Sequence, residues 1–132
     1  MAKVGRFIHE AIDGNDVAID NAFGLGKQHD IVATERSFVG YLEGIIVRVK
    51  TLAGNPAPTK ITVKITHNSN GTGVVIPDTE ATIAYEVGST TEGGIAIKFA
   101  FAHFHTDGNF SIFYKTDAGT ATIDAMELYW SE

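Results

Sequence analysis

The chain has no cysteine, three prolines and only ten lysines and arginines among its 132 residues. Without cysteine there is no disulfide framework and no thiolate metal site, which fits folding in a reducing compartment. The shortage of cations weighs against nucleic acid. Sixteen Asp and Glu give a formal net charge of −6, whereas phosphate backbones are held by clustered Lys and Arg. Long apolar runs are missing too. The longest, Ile95 to Phe104, is interrupted by Lys98 and His103 and falls short of the roughly 20 residues that span a bilayer. The basic start Met1-Ala2-Lys3-Val4-Gly5-Arg6 is not followed by a signal-peptide core, because His9, Glu10 and Asp13 break the segment. These features predict a soluble protein with neither nucleic acid nor membrane as partner. One domain, or one domain with an arm, is expected at this length.

What the chain does contain is strand chemistry. In Lys60-Ile61-Thr62-Val63-Lys64-Ile65-Thr66 apolar and polar residues alternate strictly, the period-two pattern of a half-buried strand. Before it, Gly44-Ile45-Ile46-Val47-Arg48-Val49-Lys50 is rich in β-branched residues that favour extended backbone. Gly and Pro mark Ala53 to Pro58 as a loop, and Asn70-Gly71 as a tight hairpin turn. Further strands are expected at Ala81 to Val87, Ile95 to Ala102, Phe110 to Lys115 and Ala121 to Trp130. Seven or so strands at spacings of about 8–12 residues predict an all-β fold, an antiparallel β-sandwich or jelly roll over residues 37–132. Residues 1–36 alternate short apolar patches with Gly, Asn and Asp. They read as an irregular N-terminal arm, with at most an amphipathic helix near Phe7, Ile8, Ala11 and Ile12.

Catalytic patterns are absent from the sequence. His103 and His105 lie two apart and would share a strand face, with Asp107 and His67 as candidate neighbours, but no spacing supplies a firm third metal ligand. Asp13-Gly14-Asn15-Asp16-Val17 opens like a calcium loop, yet Val17 takes a ligand position and no Glu closes it. A turn before a short strand is the simpler reading. Asp78, Glu80 and Glu86 form no recognisable acid pair. The five serines sit in no nucleophile elbow, and Gly24-Leu25-Gly26-Lys27 lacks the spacing of a phosphate loop. No catalytic residue, cofactor or metal is assigned, and an enzyme is not expected.

Aromatic residues crowd the C-terminal third. Phe99 and Phe101 share parity with Ile95 and Ile97 and are expected in the core. On the last strand Met126, Leu128 and Trp130 fall on one face, with Glu127 and Tyr129 on the other. Either Phe113 or Tyr114 is expected to face outward. Phe113 and Tyr129 are the aromatics nominated to face a ligand, such as a glycan.

The segment Gly40 to Val49, the loop Asn55-Pro56-Ala57-Pro58-Thr59, the strand Ile61 to Ile65 and the ending Phe113 to Thr122 resemble small β-sandwich virion proteins of tailed bacteriophages. The likeness covers roughly residues 38–130. It implies a structural protein of the virion, foremost a capsid decoration or cement protein that binds and stabilises the shell. Its partners would be the major capsid protein or other virion proteins, with a homo-oligomer on the particle, after synthesis in the host cytoplasm. Phe7, Ile8, Val17, Ala18 and Ile19 are then the expected arm contacts, and deletion of residues 1–20 should leave the sandwich folded. The alternative is a tail- or fibre-associated carbohydrate-binding module. A third, a cupin-like metal enzyme, would require His103 and His105 as ligands.

Overall fold

The computed structural model describes residues 7–31, 40–67, 75–76, 79–84, 95–106 and 109–131, without the side chains of 7–15, 40, 95 and 102–106. Among the described residues there are eight strands and no helix: β1 (Phe7–Ile19), β2 (Gln28–Ile31), β3 (Gly40–Ala53), β4 (Lys60–His67), β5 (Ala81–Ala84), β6 (Ile95–Thr106), β7 (Phe110–Thr116) and β8 (Thr120–Ser131). They form two four-stranded sheets: sheet A, in the order β1-β8-β3-β6, and sheet B, in the order β2-β7-β4-β5. All the strand pairings are antiparallel. The chain passes repeatedly between the sheets, so each strand of one lies beside a strand distant in sequence. With this order the sandwich is an eight-stranded jelly roll.

The alternation seen in the sequence sets the faces. On β4, Ile61, Val63 and Ile65 are fully buried, while Lys60, Thr62, Lys64 and Thr66 point to the other side. On β8, Met126, Leu128 and Trp130 enter the core and Glu127 and Tyr129 do not. Phe99 and Phe101 join the same core from β6. Phe110 of sheet B packs edge-on against Trp130 of sheet A, with ring centroids 5.9 Å apart. Burial of each large side chain contributes about 1.5–3 kcal/mol. The interior also holds a polar pair: His29 Nδ1 lies 2.8 Å from the Tyr114 hydroxyl, which reaches Met126 Sδ at 3.7 Å. Burial pushes the Tyr114 hydroxyl well above its ordinary pKa.

The N-terminal segment differs from its expectation. Residues 7–19 are neither irregular nor helical: they form β1, paired along β8 from Phe7↔Ser131 to Ile19↔Ala121. The segment Asp13 to Val17, expected as a turn, is a bulge within that strand, with Asp13 opposite Ala125 and Val17 opposite Ile123. Gly and the short polar residues of the bulge hide the strand period. Residues 28–31 add β2 to sheet B. The expected turn Asn70-Gly71 and residues 85–87 of the expected strand lie outside the described residues.

Further irregularities shape sheet A. Its pairings shift register around Glu43, and the β8 pairings shift next to Asp124. At the first, Gly44 is required: an added Cβ would lie 2.7 Å from the Phe99 carbonyl oxygen. At the far end Gly119, with φ +62°, turns β7 into β8 against the Ala53 carbonyl and leaves no room for a side chain.

Candidate functional site

Two open depressions are bordered by described residues, and the other candidate sites are sheet faces and strand edges. The outer face of sheet A carries Ile46, Arg48, Lys98, Glu127 and Tyr129 with the small residues Ala96, Ala100 and Ala125 between them. Ile46, Arg48, Ala96, Ala125 and Glu127 border a shallow depression of about 270 Å³. Its polar groups are tied up locally. Arg48 Nε donates to Asp124 Oδ1 at 2.9 Å and Nη2 to Oδ2, while Lys50 Nζ reaches Asp16 at 3.1 Å. The Arg48 hydrogen bonds, opposed by burial, hold the Asp124 carboxyl below the usual carboxylate range. Tyr129 is half-buried here and its hydroxyl donates to Glu127 Oε2 at 3.0 Å. That hydrogen bond raises the Tyr129 pKa.

A second depression, about 470 Å³, opens at one end of the sandwich beside Ala18, Thr51, Thr120 and Thr122. Lys27 Nζ and Asp20 Oδ1 meet there at 2.6 Å, and Asp20 also accepts from the Ala22 N–H. The Lys27 hydrogen bond holds the Asp20 carboxyl below its ordinary value. Neither depression places an acid and a base around a free reacting position, so neither has the geometry of a catalytic centre.

The outer face of sheet B is organised differently. Phe113 faces outward opposite Lys64, yet it is only 4 % exposed. Nearby, Phe23 of the β1–β2 loop sits beneath two ammonium groups, with Lys64 Nζ at 4.4 Å and Lys115 Nζ at 4.8 Å from its centroid. Lys64 Nζ also lies 5.6 Å over the Phe113 ring. Ser111 donates to Asp30 at 2.6 Å and Thr62 bonds Thr82 across the strands at 2.6 Å. Gln28 Oε1 and Thr66 Oγ1, on the same side of the sheet, are buried without a hydrogen-bond partner.

No family model and no curated protein matches the chain. Among solved structures it is similar to FLHE, at 14% identity over 96% of both chains with a TM-score of 0.43. It is also similar to a structure from maize chlorotic mottle virus, at 12% identity over 95% of this chain and 91% of that one, TM-score 0.39. A third is the VP2 subviral particle of infectious bursal disease virus, at 10% identity over 95% of this chain and 32% of that chain, TM-score 0.30. Likeness at this level identifies no family and carries no argument about function.

The residues nominated from the sequence do not form one site. Val17 and Ile19, nominated as arm contacts, are 9 % and 2 % exposed and belong to the core, which leaves Ala18 as the exposed member of that stretch. Phe7 and Ile8 lie in β1 opposite Ser131 and Trp130, with side chains outside the described set. Of the two nominated aromatics, Tyr129 shows part of its ring on sheet A, while Phe113 is covered on sheet B. His103 and His105 lie in β6, but their side chains and Asp107 are outside the described residues. Among the described residues no group of three His, Asp or Glu is placed to hold a metal. Sequence reasoning missed Phe23, Lys64 and Lys115 as a group. The lysine parity on β4 was legible, but the aromatic that joins them comes from a distant loop.

Proposed function

We propose that this protein is a structural component of a virus particle, in the manner of a tailed-phage capsid decoration or cement protein. The observation that carries this reading is the jelly-roll order of the two sheets combined with the length of the edges of sheet A. The jelly roll hosts viral coat domains, lectins and cupins, so architecture leaves three classes and the step to any one is analogy. A cupin-type enzyme would need His103 and His105 as metal ligands, and their side chains lie outside the described residues. Among the described residues the edge strands β1 and β6 of sheet A have 13 and 12 residues, and β2 and β5 of sheet B have four each. A long strand edge is a template for a partner chain, with main-chain pairing supplying affinity. The resemblance of residues 38–130 to phage virion proteins supports the same reading. Attachment would then run through sheet A, to a major capsid protein or another virion protein, with many copies adding to shell stability.

The test is sedimentation of native particles followed by quantitative mass spectrometry. Copies in fixed, high ratio to the main shell protein are expected. Absence from the pellet would overturn the proposal, and a few copies per particle would move the protein to the tail or a vertex.

A second reading, a tail- or fibre-associated carbohydrate-binding module, is favoured by Tyr129 standing beside the alanine-lined depression on sheet A. Aromatic residues on flat sheet faces stack on sugars. Trp130, at 1 % exposure, is too buried to report such binding, so calorimetry against a glycan panel with the Tyr129→Ala variant as control decides it. Saturable heat that disappears in the variant supports the reading, and none across the panel removes it.

A further inference from the structure

The central strands of sheet B carry three lysines that no carboxylate of the described residues neutralises. Lys60 and Lys64 of β4 and Lys115 of β7 point to the outer face, and Lys115 is in register with Thr62, midway between the two β4 lysines. At about 3.3 Å of rise per residue, the three stems follow one another at steps of roughly 6–7 Å along the strand direction. Among the described residues none of the three forms an ion pair. Phe23 instead holds Lys64 and Lys115 by cation–π contact, at 4.4 and 4.8 Å. This fixes the ammonium groups in place without cancelling their charge.

The acids of this face lie around it. Asp30 is on the edge strand β2 and accepts from Ser111. Asp117, in the turn after β7, accepts from the Thr59 N–H and hydroxyl and from the Lys60 N–H. Glu80 immediately precedes edge strand β5. A positive centre with an acidic rim, on a chain of net charge −6, selects both the sign and the placement of a partner.

We propose that the outer face of sheet B binds an extended acidic polypeptide segment whose carboxylates, at alternate residues, meet Lys60, Lys115 and Lys64 in turn. The spacing chooses this partner. Alternate side chains of an extended chain leave one face at about 7 Å, the interval of the three lysines. The ammonium groups lying over Phe23 favour charge recognition over sugar stacking. The inference goes beyond particle attachment, which rests on the edges of sheet A, and holds or fails without it.

Fluorescence anisotropy with the full-length protein at low salt tests the proposal. Three probes are compared: a labelled peptide alternating Glu and Ser, a peptide of the same composition with its Glu in one block, and a sulfated polysaccharide. The alternating peptide should bind best and weaken as salt rises. The Lys64→Gln/Lys115→Gln double variant should lose about tenfold in affinity or more, and Phe23→Ala several-fold, while Lys98→Gln on sheet A should match the parent. Lys64 and Lys115 are partly exposed and glutamine keeps most of each stem, so the double variant decides the matter even if Phe23→Ala fails to fold. Equal binding by the parent and the double variant would overturn the proposal, as would no binding to any probe. Preference for the blocked peptide or the polysaccharide would overturn the extended-polypeptide assignment.

Discussion

Sheet A runs on four long strands of 13, 12, 14 and 12 residues, while sheet B is made of strands of 4, 7, 8 and 4. Their outer faces differ as much as their lengths. On sheet A, Lys98 apart, the described charged groups largely satisfy one another: Arg48 and Lys50 with Asp124 and Asp16, Tyr129 with Glu127, Ser131 with Glu43. On sheet B three lysines form no ion pair among the described residues, and two buried oxygens are without partners. Among the described residues sheet A is thus largely closed electrostatically on its face and long along its edges. Sheet B, among the described residues, is shorter at its edges and unbalanced on its face. Contact by main-chain pairing belongs to the first and contact by charge to the second, which is why the two proposals fall on opposite sheets.

The largest effect that would break this comparison comes from β1. If sheet A depends on it, removing residues 1–20 strips ten register pairs from β8 and uncovers core side chains that Val17 and Ile19 pack against. Two buried aliphatic side chains alone are worth about 3–6 kcal/mol, comparable with the whole stability of a small domain. The truncated chain should lose its cooperative thermal transition by circular dichroism. A sharp melt near that of the full chain would return β1 to the status of an arm.

This is also where the sequence was hardest to read. Strand β4 was legible because its alternation is unbroken, and the faces of β8 because Met126, Leu128 and Trp130 keep parity. In β1 the bulge at Gly14-Asn15-Asp16 destroys the period, and the partner that orders it lies more than a hundred residues away. β2 is too short to announce itself. For the surface, parity left Phe113 and Tyr114 as alternatives; the structure turns Phe113 outward and Tyr114 into the core, and parity does not show what packs over a side chain. The cover of Phe113 and the clamp on Lys64 and Lys115 involve residues far away in the chain, which no local pattern can reveal.

A smaller effect sharpens the account of sheet B. Where β5 is short, the side chain of Thr79 takes over part of the strand pairing: its hydroxyl accepts from the Ile65 N–H at 3.1 Å and donates to the Ile76 carbonyl at 2.7 Å. Thr79 is fully buried, so the near-isosteric Thr79→Val leaves the Ile65 donor without this partner at little cost in volume. A loss of about 1–3 kcal/mol is expected, measured by urea denaturation with an unchanged slope. A loss under a few tenths would show that the short edge of sheet B needs no such closure.

The smallest effect concerns the closed face of sheet A and depends on pH. Asp124 is buried at the β8 irregularity, and the hydrogen bonds from Arg48 lower its pKa against the opposing effect of burial. A carboxyl with a lowered folded-state pKa stabilises the fold above its unfolded value, here 3.8, and that stability is lost as pH falls through the lowered value. Arg48 is half-exposed, so solvent screens the pair and a contribution of about 1 kcal/mol is appropriate. Asp124→Asn should therefore be less stable than the parent at neutral pH by about that amount, with the gap narrowing as acid protonates the parent carboxyl. Urea denaturation of both proteins across the acid range checks this. A gap that stays constant down to the strongest acid the fold survives would mean that Asp124 acts through shape and neutral hydrogen bonding, and that the face of sheet A is held closed by packing rather than by charge.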